Sequence, residues 1–366
     1  MQRRNWVTKY QKYQRGGRDY RWKPIFVASA LSLILNCLIP TKSRADEGGV
    51  SFWLNGSFGS LSATPLTPGW SLATIYYHTS VTAGGDVAAS REFEIGNFNR
   101  TVNISLNVNL ESDADLVLLN PCYVFASPVL GGQLAMGITG LVGHNDTSLD
   151  GTLTLSAGNR VLTRHGTLDS TLTGVGDIFP QTSLRWNSGV NNFMTYITGA
   201  IPVGDYSSTR LANLGIGHGA FDGGVGYTYF DPKKGHELSA VAGMTYNFEN
   251  PDTGYRNGAD FHLDWGASQF LSEHLQVGAV GYFYDQISGD TGGSPMLGDF
   301  KSRVAAVGPQ IGYLFPVGKL QGYMNVKGYW EFGAQNRPEG WNLWVVFSIS
   351  PPATPPPPAG KSGLAK

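Results

Sequence analysis

The stretch GYMNVKGYWEF, residues 322–332, alternates polar and apolar side chains without interruption. One parity carries Tyr323, Asn325, Lys327, Tyr329 and Glu331. The other parity carries Met324, Val326, Gly328, Trp330 and Phe332. Successive side chains of a β-strand point to opposite faces. The stretch therefore predicts a strand with one polar face and one apolar face.

Two environments produce such a strand. In a soluble sandwich the apolar face meets the core and the polar face meets bulk water. In a membrane barrel the apolar face meets lipid and the polar face lines an aqueous lumen. One strand does not decide between these environments, but the rest of the chain favours the barrel.

The N-terminus has the layout of a secretory signal. A basic region up to Lys23 precedes the apolar run IFVASALSLILNCLI, residues 25–39, and the small-residue site Ser43-Arg44-Ala45 follows. The apolar run is short for a membrane-spanning helix. We therefore predict a signal peptide over residues 1–45 and a mature chain that begins near Asp46.

Charge and cysteine content exclude several classes of function. The predicted leader holds ten of the 26 Lys and Arg but only one of the 27 Asp and Glu, so the mature chain carries a net charge of −10. Such a chain has no basic patch for a nucleic acid. Cys122 is the single cysteine left, so no Cys-based zinc site is expected. We predict no metal site, no cofactor and no nucleic-acid partner.

Strand-like alternation recurs almost to the C-terminus, and the connections between the predicted strands differ in length. Short turns are NSGVNN (187–192), DPKKG (231–235), LSEHL (271–275) and FPVGK (315–319). Longer polar segments cover residues 203–219, 249–259, 287–302 and 334–340. Short turns at one end and long loops at the other are typical of an outer-membrane barrel.

The predicted fold class is therefore all-β, a transmembrane antiparallel outer-membrane β-barrel of about 12 strands. A first strand at residues 70–83 and one long irregular strand at 103–128 give 12, whereas splitting the long strand and adding one at 49–61 gives 14. We predict an N-terminal periplasmic or plug-like segment at residues 46–69, a barrel over 70–350 and a flexible Pro-rich tail at 351–366.

Several loop and strand sequences resemble the MetA-pathway of phenol degradation family of outer-membrane transporters. The resemblance rests on GAIPVGDYSSTRLANLG (199–215), YNFENPDTGYRNGADFHLDW (246–265), YFYDQISGDTG (282–292), GDFKSRVAAVGPQIGYLF (298–315) and YWEFGAQNRPEGW (329–341). It covers the last half of the chain well and the front half loosely. It implies a barrel related to fatty-acid and aromatic-hydrocarbon channels, which pass hydrophobic small molecules inward.

Polar side chains on the predicted lumen face supply the candidate ligand residues. ADFHLDW places Asp260, His262 and Asp264 on one face of a strand, where they either bind a cation or phenolic hydroxyl or form a structural hydrogen-bonded cluster. The structural alternative is favoured. Further lumen candidates are Tyr282, Tyr284, Gln286, Lys327, Tyr329 and Glu331. Loop or gating candidates are Asn250, Tyr255, Arg256, Asp290 and Arg337.

The sequence thus predicts an outer-membrane channel, not an enzyme, for passive uptake of small hydrophobic or aromatic compounds. Its expected partners are outer-membrane lipid, the barrel-assembly machinery and the solute. A structural or adhesive barrel is the first alternative. A lipid-modifying barrel enzyme is the second, because His78 and Ser80 would lie on one face of a strand.

Overall fold

The computed structural model describes residues 51–85, 103–157, 160–292 and 301–352. The predicted signal peptide, the first residues of the predicted N-terminal segment and most of the predicted tail lie outside these ranges. In the described part of the chain, no helix is long and apolar enough to span a membrane.

Twelve antiparallel strands close into one barrel, in which each strand pairs with its neighbours in sequence and the first pairs with the last. The strands are β1 Gly69–Gly84, β2 Asn103–Val124, β3 Gln133–Ala157, β4 Arg160–Ser188, β5 Asn191–Ala200, β6 Ala220–Asp231, β7 His236–Asn247, β8 Asp260–Phe270, β9 Leu275–Gln286, β10 Arg303–Val317, β11 Leu320–Gln335 and β12 Glu339–Ser350. Closure leaves no strand edge unpaired, which lipid requires. The predicted fold class and the count of twelve are confirmed, and the sandwich and the fourteen-strand alternative are wrong.

The opening stretch lies in β11 with the predicted orientation. Asn325, Lys327 and Tyr329 are buried inside the barrel, whereas Met324 and Trp330 are 43% and 60% exposed on its outer surface. Other exposed apolar side chains continue this outer band around the barrel: Leu72, Ile138, Ile197, Val225, Met244, Val307 and Ile311. An exposed apolar band on a closed barrel is the surface that meets lipid. This places the chain in the outer membrane.

The two ends of the barrel differ as predicted, with two exceptions. Two to four residues form four of the connections at the turn end, residues 189–190, 232–235, 271–274 and 318–319, whereas eight residues, 125–132, join β2 to β3 there. Residues 201–219, 248–259 and 287–302 connect strands at the opposite end, the loop end. The predicted loop at 334–340 is wrong, because β11 and β12 extend into it and leave only residues 336–338. The second exception is the connection between β3 and β4, which lies at the loop end but has only two residues, 158–159.

Strands β2, β3 and β4 are much longer than the rest, and near the loop end β2 turns polar side chains outward and apolar ones inward. In β2, Leu110 is buried inside while Asn109 and Glu111 are exposed outside. Nearer the turn end, the outward residues become apolar, as at Val117 and Leu119. The long strands extend beyond the apolar band, so their outward faces meet water there rather than lipid.

Candidate functional site

The described N-terminal segment, residues 51–68, packs against inward-facing side chains of the barrel. Phe52 and Trp53 are buried there. The segment pairs with no strand of the described residues, and its buried backbone groups need hydrogen-bond partners. Side chains of the barrel wall supply these partners, which explains the polar parity of β6 to β11.

Asp264 and Lys327 hold the tip of this segment. The Asp264 carboxylate accepts hydrogen bonds from Gly56 N at 3.1 Å and from Phe58 N at 3.0 Å. The Lys327 ammonium donates to Gly56 O at 2.6 Å and to Phe58 O at 3.3 Å. The Tyr329 hydroxyl also donates to Gly56 O, at 3.3 Å. These predicted lumen residues thus contact the chain's own backbone.

Glycine at position 56 is required by this contact. Its φ is +85°, and a Cβ there would lie 2.9 Å from the Tyr329 ring. Only glycine adopts this conformation without strain and also leaves room for the ring. The turn between Asn55 and Ser57 therefore lets the backbone reach both Asp264 and Lys327.

The remainder of the segment is held in the same way. Glu237 accepts from Leu61 N at 2.9 Å, and Thr228 accepts from Ala63 N at 3.1 Å. Gln133 pairs with the backbone of Leu66 through both its amide atoms, at 2.7 and 2.8 Å. Sequence reasoning missed these anchors. The alternation of their strands could have indicated that these side chains point inward, but not that they bind the backbone of the N-terminal segment.

His262 is not shared between Asp260 and Asp264. Its Nε2 lies 2.9 Å from Asp222 Oδ2, and its ring stacks on Trp53 at a centroid distance of 3.8 Å. Asp260 instead accepts a hydrogen bond from Asn247 at 2.9 Å. The structure thus gives the three residues three separate sets of contacts. Asp222 was missed because it lies on β6, far away in sequence.

The three predicted lumen residues of β9 are inward and fully buried. Tyr282 donates to Glu331 at 2.7 Å. The guanidinium of Arg337 lies 4.8 Å from the centre of the Tyr284 ring. These tyrosines are lumen side chains and do not belong to an interfacial girdle.

The loop candidates meet at the loop end of β8 and β9. Asn250 and Tyr255 form a backbone bridge, and the Tyr255 hydroxyl donates to Asp290 at 2.5 Å. Asp290 also accepts from the Gln286 amide at 2.5 Å. Arg256 bridges to the same neighbouring loop through Thr291. The structure thus connects the loop at 248–259 to the loop that follows β9.

Two cavities lie on either side of the N-terminal segment. The loop-end cavity has a volume of about 270 Å³ and the turn-end cavity about 440 Å³. Phe52, Trp53, Leu54 and Phe179 line both cavities. The Phe52 and Phe179 rings are 5.7 Å apart, so an apolar contact separates the cavities.

The inner wall formed by β1 to β4 is largely apolar around this contact. Tyr77, Leu116, Leu118 and Leu141 are each at most 8% exposed and belong to one cluster, against which Leu54, Ile75, Phe179 and Leu214 pack. This wall was not predicted, since the lumen was expected to be polar throughout. It faces the side of the N-terminal segment that the anchoring residues leave free.

His78 and Ser80 lie on the outer surface of the barrel. His78 Nδ1 is 2.8 Å from Asp115 Oδ1, and its ring is 4.8 Å from that of Trp341. The structure has no hydrogen bond between His78 and Ser80, both of which it describes. The arrangement therefore lacks the contact between base and nucleophile that a hydrolase needs.

One solved structure with a TM-score above 0.5 has a similar fold. The chain is similar to the COG4313 outer membrane channel from Pseudomonas putida F1, with 13% identity, a TM-score of 0.54 and coverage of 79% of this chain and 98% of that one. It is more distantly similar to the transport unit of the autotransporter AIDA-I from Escherichia coli, with 9% identity, a TM-score of 0.36 and coverage of 91% and 100%.

Sequence comparison identifies the family. No match was found among curated proteins. A sequence model of the family described as Putative MetA-pathway of phenol degradation matches residues 90–347, which is more than half of the chain and includes most of the barrel. The chain belongs to this family.

Proposed function

We propose that the chain is an outer-membrane channel for passive uptake of small hydrophobic or aromatic compounds. The observation that carries the proposal is the apolar inner wall of β1 to β4, which continues from the loop-end cavity to the turn-end cavity. A porin for polar solutes has a polar, water-filled interior instead. An apolar wall favours solutes that gain free energy by leaving water.

The N-terminal segment is proposed to close this passage. It is anchored to the polar half of the barrel by Asp264 and Lys327, and its other side presents Phe52 and Leu54 to the apolar half. A small displacement of Phe52 from Phe179 would join the two cavities. The passage would then open without any change in the barrel wall.

Solute is proposed to enter from the loop end. The loop at 201–219 contributes Tyr206, Arg210 and His218 to the lining of the loop-end cavity, and Arg337 lines it from the β11–β12 connection. Asn250 bonds to the Tyr206 hydroxyl at 2.7 Å, which joins this loop to the one at 248–259. The connected loops would set the width of the entrance.

The outer apolar band contacts lipid, and insertion of such a barrel is proposed to use the barrel-assembly machinery. The channel is proposed to be passive and without a catalytic step. The outward His78 and Ser80, which do not bond to each other, do not favour the enzyme alternative. The apolar wall that lines both cavities likewise does not favour a purely structural or adhesive barrel.

Uptake of phenol by intact Gram-negative cells tests this function, since protein-free phospholipid is itself permeable to apolar rings. Cells that produce the chain should take up labelled phenol faster than cells with an empty vector. Leu118→Asn places an amide on the apolar wall and should slow the initial rate several-fold. Leu271→Asn, in an exposed turn, is the matched control and should have no effect.

Equal uptake with and without the wild-type chain would contradict the proposal. Equal uptake by the two asparagine variants, both correctly folded, would contradict the role of the apolar wall. Heat-modifiable migration of each variant on a gel shows that its barrel has assembled.

A further inference from the structure

Arg185 is the charged residue among the described residues that line the turn-end cavity. It lies on the inner face of β4, and no salt bridge in the described part of the chain involves it. Its guanidinium carries five N–H donors. One N–H group donates to the Ser183 hydroxyl and another to Ser62 O at 3.4 Å, while Nε has no partner. The site therefore holds a cation whose hydrogen-bonding capacity is largely unused.

A guanidinium in such a place is costly unless an anion pairs with it. Lys327 shows the contrast within the same lumen, because two backbone carbonyls accept its hydrogen bonds. The planar fork of arginine matches the two oxygens of a carboxylate. Arg185 is thus suited to an incoming carboxylate.

The rest of the cavity is suited to an aromatic ring. Trp53, Phe58 and Tyr196 form a cluster whose ring centres are 5.2 to 6.1 Å apart, and all three line the cavity. Tyr196 pairs with Ser183 across the strands, which makes it a diagonal neighbour of Arg185 at roughly 7 to 8 Å between Cα atoms. The cation and the aromatic wall therefore lie within the reach of one small molecule.

We propose that the turn-end cavity is a binding site for an aromatic monocarboxylate. Arg185 pairs with the carboxylate, and the ring packs against Trp53, Phe58 and Tyr196. A single guanidinium balances one negative charge, so a monoanion fits better than a dianionic phosphate. The volume of about 440 Å³ lies within the range of small-molecule sites. The proposal specifies the solute class of the proposed channel and rests on that function, since the ligand is the solute in passage.

Titration calorimetry of the full chain in detergent tests the site with three probes. Benzoate has both the ring and the carboxylate, benzyl alcohol lacks the charge, and hexanoate lacks the ring. Benzoate should bind at least tenfold more tightly than either of the others. Arg185→Gln should weaken benzoate roughly 10- to 100-fold, because it removes hydrogen bonds to a charged group. Arg303→Gln, on the outward parity of β10, should leave benzoate binding unchanged.

Three results would overturn the site: equal affinity for benzoate and benzyl alcohol, equal affinity for benzoate and hexanoate, or unchanged benzoate affinity in folded Arg185→Gln. If that variant does not fold, the first two comparisons on the wild-type chain still decide, since benzyl alcohol lacks the charge and hexanoate lacks the ring.

The binding site and the channel function can be refuted independently of each other. Benzoate binding without phenol uptake would contradict the proposed function but support the site. Phenol uptake without selective benzoate binding would support the channel and contradict the site.

Discussion

Asp264→Asn should release the tip of the N-terminal segment. The carboxylate accepts hydrogen bonds from Gly56 N and Phe58 N, and an asparagine side chain has one oxygen for two donors. Its amide group would face one of these N–H groups, donor against donor. A hydrogen bond to a charged group contributes roughly 1.5 to 3 kcal/mol. Losing one of these bonds outright and the charge assistance of the other should lower the free energy of local opening by about 3 kcal/mol.

Amide hydrogen exchange measures this opening directly. A loss of about 3 kcal/mol corresponds to roughly 100-fold faster exchange at Gly56 and Phe58. Single-channel recordings should show longer open intervals if the segment closes the passage. Asp252→Asn, in an exposed loop, removes the same charge and should change neither result. Unchanged exchange at Gly56 and Phe58 in a folded Asp264→Asn barrel would refute the anchoring argument.

Three further predictions concern the wall and the loops. Thiol labelling should separate the two parities of β11: Val326→Cys should react only with lipid-soluble reagents and Asn325→Cys with small water-soluble ones, and labelling of the latter by a reagent too large for any pore would contradict the barrel. Gly308→Ala should lower the temperature of barrel unfolding, because its Cβ would lie 1.7 Å from the carbonyl oxygen of Gly328. Gly328→Ala should leave that temperature unchanged, because a Cβ there meets no atom within 4 Å. An equal decrease in both variants, measured by heat-modifiable migration on a gel, would refute the packing argument. Burial lowers the pKa of His218, so the loop at 201–219 should be fully stable above the unfolded pKa near 6.5 and lose stability below it. Loop protection factors, which are exchange rates corrected for the intrinsic effect of pH, check this assignment. Protection factors that do not change with pH in the wild type, or that change equally in His218→Gln, would contradict it.

The alternation of β11 predicted one polar and one apolar face, and the rest of the chain was needed to assign the apolar face to lipid. A period of two fixes the direction of every side chain once one face is assigned. The short turns predicted antiparallel hairpins, since two-residue connections such as residues 189–190 join only antiparallel neighbours. The choice of twelve strands over fourteen depended instead on how the N-terminal third of the chain was divided. The long strand from Asn103 was also predicted, although it ends at Val124 rather than at residue 128.

Local pattern does not decide which faces of the long strands point inward beyond the membrane. The same alternation occurs whether an outward face meets lipid or water, and only the position of the strand relative to the apolar band decides between them. In β2, the apolar side chain of Leu110 therefore points inward near the loop end, whereas that of Leu119 points outward within the apolar band.

The candidate site was located by sequence but its contacts were decided by the tertiary structure. Inward parity identified Asp264 and Lys327, yet their partners Gly56 and Phe58 lie more than 200 residues away in sequence. Likewise, nothing in the local sequence distinguishes Arg185 from other arginines near a turn. Only closure of the barrel around the N-terminal segment leaves it in a cavity whose described lining residues include no carboxylate. Side-chain direction is a local property of the backbone and can be derived from sequence, whereas the group that a side chain meets depends on which distant segments the closed barrel encloses.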